Sequence, residues 1–341
     1  MKKVLLGIGL AVFVCSFTVW TGEKVQAQTI NLKMAHFMSP MHIQHRKSFV
    51  PFTRKVEEIS GGRVKIKIYP GGALGGPKQL ADAVKTGITD IAFVIPAYTT
   101  GRFPRISVLD LPFMGDSAIH CTKVVYDLWD RYFSQDFKDY KVLWMYSCGP
   151  GQFHSATKPM YTVGAFQGMK MRAPSAYMSK AFKLLGSNPV GMPISKLTMS
   201  LQKKVIDGML TPYSAVTDFR LFDLVKYISE ANFYVTPMSV LMNKQKWHSL
   251  PDYAKKAIDL ASGRPWGLHA GNVYDEHDVN TVMEINRLGK IEIFKFPPSE
   301  LKKLRERVKG LERDWLKEMS GKEIPAREIL EAARASVERN R

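Results

Sequence analysis

From residue 30 onward the chain alternates apolar and polar positions in blocks whose period changes. INLKMAHF has period two and predicts a half-buried strand, and a helical run follows from about His42 to Ile59. GGRVKIKIYPGG is a second strand between glycine turns, and GGPKQLADAVKTGITDIAF reads as a helix leading into a third strand. From about residue 163 the plan recurs as strand MKMRAP, helix SAYMSKAFKLLG, short strand NPVGMPI and helix SKLTMSLQKKVIDG. The two halves also match at a constant offset of 117 residues, which sets Leu80 on Leu197, Ala83 on Ser200, Val84 on Leu201, Ile88 on Val205 and Asp90 on Asp207.

Two similar α/β lobes with a ligand cleft between them are therefore expected. VLWMYSCGPGQFHS and ANFYVTPMSVLMN read as strands that cross from one lobe to the other, hinge strands in effect. Long helices run from near Asp252 past Asn272, and a later one carries Leu301, Leu304, Val308, Leu311 and Trp315 at spacings of three and four. On this reading one lobe holds residues 28–151 plus about 238–275, and the other holds 152–237 plus about 276–341.

One position stands out against the pattern. Met169, Lys170, Met171 and Arg172 form a short strand, which Ala173 and Pro174 end before a helix begins at Ser175. In open α/β sheets ligands gather beyond the carboxyl ends of the strands. Arg172 is thus either a surface charge or the group that holds an anion.

Composition narrows the class. The chain has 341 residues, 45% hydrophobic and 23% charged, as a globular protein has. Lys2 and Lys3 precede an apolar run of roughly 11 residues, too short to span a bilayer, and Val25-Gln26-Ala27 supplies a cleavage site. Residues 1–27 read as a secretory leader, which places the mature chain, from Gln28, in the periplasm. Cys15 follows Val14 rather than a small residue, so it is not a lipid attachment site. Removing the leader's three basic residues and one acidic residue takes the net charge from +18 to +16. The basic residues are scattered without a tail or an RNA-binding motif, which argues against nucleic acid. Cys121 and Cys148 remain, and an oxidising compartment permits a bridge between them.

No enzyme motif assembles. There is no GxSxG elbow and no HExxH helix, and PGGALGGPKQ lacks the GK[ST] of a phosphate loop. His42 and His45 share a helix face with no cysteine or carboxylate beside them, and Asp275, Glu276, His277 and Asp278 read as a solvated helix face. Neither metal nor cofactor is expected. The chain reads as a binder.

At this point a resemblance becomes specific. EISGGRVKIKIYPGGALGG, AVKTGITDIAF, GRFPRISVLDLPF, FQGMKMRAP, LQKKVIDGMLTP and MNKQKWHSLP occur in this order. Across the mature chain they resemble the substrate-binding proteins of tripartite ATP-independent periplasmic (TRAP) transporters, the DctP-like family. The Gly-x-Lys-x-Arg and Asp-Gly segments are the most diagnostic. The resemblance implies a two-lobed periplasmic binding protein fold, a carboxylate ligand paired with Arg172, membrane subunits as partners and no catalysis; a monomer is expected. A planar guanidinium suits a carboxylate because it presents two parallel donors.

The departures from the family pattern shape the ligand. Where relatives often carry a second arginine stands Gln152, followed by Phe153 and His154; Leu210 and Thr211 replace a Glu-Asn pair, Lys196 a glutamate and Ile194 an aromatic. One anion clamp among few polar neighbours implies an apolar or aromatic monocarboxylate, or a 2-oxo or 2-hydroxy acid, over a C4-dicarboxylate. Phe37, Tyr98, Tyr213, Tyr234 and Met238 are further candidates for the wall, and core packing is the competing reading for each. The rival functions are an ABC-type binding protein, a periplasmic enzyme and a ligand sensor on the same scaffold.

Overall fold

The computed structural model describes residues 29–341, so the leader expected at 1–27 lies outside the described residues. Its strands are β1 (Ile30–Ala35), β2 (Val64–Tyr69), β3 (Ile91–Val94), β4 (Tyr140–Ser147), β5 (Gly151–Ser155), β6 (Lys170–Ala173), β7 (Asn188–Gly191), β8 (Gly208–Thr211), β9 (Tyr227–Tyr234), β10 (Pro237–Asn243) and β11 (Glu292–Lys295). They form two sheets, ordered β2-β1-β3-β10-β4 and β11-β9-β5-β8-β6-β7.

The repeat read from the sequence is visible in the pairing. β1 lies parallel between β2 and β3, and β6 lies parallel between β7 and β8. In each sheet a strand from elsewhere in the chain adds antiparallel to the third, β10 beside β3 and β5 beside β8. The helices Leu80–Lys85 and Leu197–Gln202 keep the offset of 117 residues, as do β3 and β8. The matched acids do matching work. Asp90 accepts the backbone N–H of Lys33 at 2.7 Å, and Asp207 accepts that of Lys170 at 2.8 Å. Each carboxylate thus ties the loop before one strand to the middle strand of its parallel trio, at Lys33 within β1 and at Lys170, the first residue of β6.

The glycine after Asp207 has its own reason. A Cβ on Gly208 would come within 2.5 Å of the His154 carbonyl oxygen and 2.8 Å of Met171 Sδ, so any larger residue would push β8 off its neighbours.

The chain passes between the sheets at Cys148–Pro150 and Val235–Thr236, as the two crossing strands predicted. A third passage is the helix Gly263–Leu288, whose earlier turns pack on β4 and on the helix Ala118–Asp127. Near its end Ile285 joins the second lobe's cluster around Leu197, Met209 and Val216. The last helix, Ala326–Arg339, lies against Ala118–Asp127, with His120 Nε2 2.8 Å from the Val337 carbonyl oxygen.

Each sheet buries aromatic residues. In the first lobe Phe52 meets Trp144 edge-on at 4.8 Å between ring centres, and in the second Phe153 meets Phe166 at 4.7 Å. Cys121 and Cys148 are both buried and free, so the bridge left open above is not formed. Among the described residues no helix is long and apolar enough to cross a membrane.

One expectation needs correcting. Residues 275–278 are not a solvated face. Asp275 accepts the N–H groups of Ala118 and Ile119 at the start of their helix, and Asp278 accepts that of Ser214 at 2.5 Å. His277 lies 3.3 Å from Asp218, and only Glu276 of the four is exposed. The long helix runs between the lobes, so its charged turn has protein on more than one side.

Candidate functional site

Where β6 ends, Arg172 turns into the space between the lobes. The residues around it are fixed by local chemistry: Ser175 caps the helix Ala176–Leu184 by accepting the Met178 N–H, and Asp207 holds the start of β6. The helix begins immediately past Ala173-Pro174, as the sequence implied.

Arg172 is completely buried. Its Nε donates to the Met192 carbonyl at 3.0 Å, one terminal nitrogen to the Leu210 carbonyl at 2.9 Å, and the other to the Tyr98 hydroxyl at 3.2 Å. Those bonds use three of the five N–H donors of a guanidinium and leave one on each terminal nitrogen. No carboxylate forms an ion pair with it among the described residues. Arg172 is therefore neither a surface charge nor half of an ion pair within the described residues. A buried cation satisfied only by neutral dipoles remains under-compensated, and an anion placed beside it gains accordingly.

Arg172 faces a narrow cavity between the lobes, with an open interior of about 30 Å³. The first lobe contributes Phe37, Met38, Phe93, Ile95, Tyr98 and Met238, and the second contributes Pro174, Ile194, Pro212, Ala215, Phe219 and Tyr234. The wall is mostly apolar, and its rings touch one another: Phe37 lies 5.5 Å from Phe93 and 6.3 Å from Tyr98 between centres. Tyr98 joins the lobes, since its hydroxyl accepts from Arg172 and also from the Ile194 N–H at 3.0 Å. Burial pushes the Tyr98 hydroxyl up against the opposing pull of Arg172, so it stays protonated.

Of the residues singled out in the sequence, Arg172, Phe37, Tyr98, Ile194, Tyr234 and Met238 meet at this cavity. Five do not reach it, each for a physical reason. Gln152 is occupied at the hinge, where its Oε1 accepts the N–H groups of Ala231 and Asn232 at 2.8 and 3.0 Å. Phe153 packs away from the cavity, edge-on against Phe166 and tilted against Phe233 and Phe296. His154 lies beneath Tyr213 with Nε2 2.9 Å from the Thr211 carbonyl oxygen, and burial lowers its pKa to about 4. Thr211 is fully buried one residue short of the lining Pro212. Tyr213 turns away to donate to Glu230 at 2.7 Å.

The sequence reading missed the polar corner of the cavity. His42, Ser214 and Asp218 line it along with Phe219 and Tyr274. Asp218 accepts the Ile43 N–H at 3.1 Å and stands 3.3 Å from the rings of both His42 and His277. Like Tyr98, it ties the lobes together. The signal available was the i, i+4 spacing of Ser214 and Asp218 after the Asp-Gly segment, which puts both on one face of a helical turn. No group of side chains that could hold a metal ion occurs among the described residues.

Comparison with known proteins agrees with this architecture. Residues 34–318 match the model of the DctP family, bacterial extracellular solute-binding protein family 7. A TRAP solute-binding protein from Rhodoferax ferrireducens, solved with copurified benzoate, superposes with a TM-score of 0.87 at 32% identity over 92% of this chain and 98% of that one. A marine metagenome TRAP protein specific for aromatic acids, solved with 3-hydroxybenzoate, also gives 0.87, at 33% identity over 92% of this chain and 99% of that one. The 2,3-diketo-L-gulonate-binding periplasmic protein YiaO of Escherichia coli is 26% identical over 75% of this chain and 79% of its own. This chain is a member of the DctP family of solute-binding proteins, the periplasmic binding components of TRAP transporters.

Proposed function

We propose that this protein is exported to the periplasm, binds an aromatic or otherwise apolar monocarboxylate between its lobes, and delivers it unchanged to the membrane subunits of a TRAP transporter. The observation that carries the reading is Arg172, buried without an acidic partner and facing an apolar, ring-lined cavity. The ligand carboxylate takes the two remaining guanidinium N–H groups, and its body lies among Phe37, Phe93 and Phe219. Closing the lobes over it excludes water and strengthens the charge-assisted pair. The passages near residues 148–150 and 235–236 act as hinges.

Similar proteins support the same class. The Rhodoferax protein holds benzoate, the metagenome protein holds 3-hydroxybenzoate, and a Bordetella bronchiseptica TRAP protein, 27% identical with a TM-score of 0.84, holds mandelate. Gln152, spent on the hinge, supplies no second cationic clamp, which disfavours dicarboxylates such as succinate. Nothing lining the cavity pairs a nucleophile with an activating base: the Cys148 thiol is pushed by burial up to about 12.

The test is a thermal-shift panel of organic acids on the mature protein, repeated with Arg172→Ala. A ligand at about 100 times its Kd adds roughly 2.7 kcal/mol of stability. Aromatic monocarboxylates should raise the melting temperature of the wild type, and Arg172→Ala should weaken them at least ~100-fold, in keeping with a lost bidentate charge pair. A panel in which only dicarboxylates act, or in which Arg172→Ala binds as tightly as wild type, would overturn the reading.

A further inference from the structure

The cavity has a second polar pole besides Arg172. Ser214 and Asp218 project from one face of the short helix Ser214–Asp218, and His42 faces them from the other lobe. The bonds at this pole leave specific groups free. Asp218 Oδ1 is filled by the Ile43 N–H at 3.1 Å and by His277 Nε2 at 3.3 Å. Among the described residues the hydrogen-bond and ion-pair partner of Asp218 Oδ2 is His42 Nε2 at 3.3 Å, a long approach beside the usual 2.7–3.2 Å for N–H···O. Nδ1 of His42 accepts the Gln44 N–H at 3.2 Å, so the ring proton of neutral His42 lies on Nε2. Burial, against the opposing pull of Asp218, keeps that ring neutral by lowering its pKa. The Ser214 hydroxyl is buried and makes no hydrogen bond of good geometry among the described residues, and the Asp278 carboxylate that accepts the Ser214 N–H stands beside it.

An acceptor, an N–H donor and a hydroxyl therefore converge on one corner of an otherwise apolar cavity. We infer that Asp218, His42 and Ser214 recognise a hydroxyl group on the ligand, which makes the preferred solute a hydroxy-substituted aromatic monocarboxylate. The inference rests on the carboxylate-binding role proposed for Arg172. A hydroxyl fits because it donates and accepts through one atom: it donates to Asp218 Oδ2 while accepting from His42 Nε2–H or from Ser214. A second carboxylate at the same place would meet the Asp218 carboxylate, and that repulsion selects against aromatic diacids. Leaving a buried polar group unpaired is costly, so a ligand without the hydroxyl is discriminated against more strongly than its missing atom suggests.

The experiment is isothermal titration of the full mature protein with benzoate, 3-hydroxybenzoate, 4-hydroxybenzoate and isophthalate, repeated on Asp218→Asn and Ser214→Ala. In the wild type at least one hydroxybenzoate should bind ten or more times tighter than benzoate, and isophthalate at least tenfold weaker. Asp218→Asn should cut the hydroxyl preference below threefold and admit isophthalate, and Ser214→Ala should lower the preference about threefold. Only the ratios are read, so a general loss of affinity does not mimic the effect. Should Asp218→Asn fail to fold, the wild-type ratios and Ser214→Ala still decide. Equal binding of benzoate and both hydroxybenzoates, wild-type binding of isophthalate as tight as benzoate, or a preference unchanged in both variants overturns the inference alone. Benzoate that fails to bind, or that binds Arg172→Ala as well as wild type, removes the carboxylate reading and this inference with it.

Discussion

In the first lobe Lys33 donates its backbone N–H to Asp90, and two residues further along β1 stands Ala35, fully buried. In the second lobe Lys170 donates to Asp207, and two residues further along β6 stands Arg172, equally buried. The frame is the same, down to a carboxylate, Asp90 or its counterpart Asp207 at an offset of 117 residues, that holds the middle strand of each parallel trio. The side chain presented to the cleft differs by a full charge. One lobe supplies the cation, and both supply the aromatic wall, Phe37, Phe93 and Tyr98 from the first and Phe219 and Tyr234 from the second. Duplicated scaffolds need not carry duplicated side chains, and the diagnostic Asp-Gly and Lys-x-Arg residues are partly architectural: Asp207 and Gly208 place the strand that carries Arg172.

The largest expected effect comes from breaking that placement. Position 91, which matches Gly208, holds Ile91 without difficulty, whereas a methyl on Gly208 would meet the His154 carbonyl oxygen. Gly208→Ala should therefore destabilise by about 3 kcal/mol, as overpacking against backbone does, seen as a lower Tm and as weaker ligand binding. An unchanged Tm would mean that β8 can shift without cost.

Acid should act on both lobes in the same direction. Burial lowers the pKa of His36 in the first lobe to about 3 and that of His154 in the second to about 4, from an ordinary 6.5. Each neutral ring contributes stability that is fully present above about pH 6.5. It is lost as pH falls toward those values, because the unfolded chain takes up the proton first. Lowering the pH from 7 to 5 should remove about 2 kcal/mol per ring. His36→Gln and His154→Gln should each flatten the fall of Tm with acidity, and equal slopes in wild type and variant would contradict the burial argument.

The smallest effect separates the lobes most cleanly. Asp90→Asn and Asp207→Asn should each cost about 1 kcal/mol of stability, the net contribution of one such bond. Only Asp207→Asn should weaken ligand binding, because only its strand carries Arg172, the group proposed to hold the ligand carboxylate. Equal losses of affinity would mean that the frame, not the side chain it presents, controls the cleft.

Much of this was legible in the sequence, because period-two strands, turn glycines and the repeat each leave a local trace. Arg172 was legible because a basic residue ends a strand at the sheet's ligand-binding edge. Phe153, Gln152 and His154 were not, since strand alternation says which residues share a face but not which of them reach past the sheet into the cleft. The polar corner at His42 and Asp218 escaped for a related reason: its members lie 176 positions apart and meet only when the lobes do. The terminal helix, Ala326–Arg339, follows the apolar stripe read at Leu301–Trp315, and the sequence did not say what it packs on. Chain order assigned it to the second lobe, and it packs on Ala118–Asp127 of the first.

The Ile43 amide has one further use. Its hydrogen-bond acceptor, Asp218, belongs to the opposite lobe, so it is shielded only while the two halves are together. Exchange of that single proton for deuterium would then time each opening of the molecule, and slow exchange under a given solute would report how long the protein keeps its cargo.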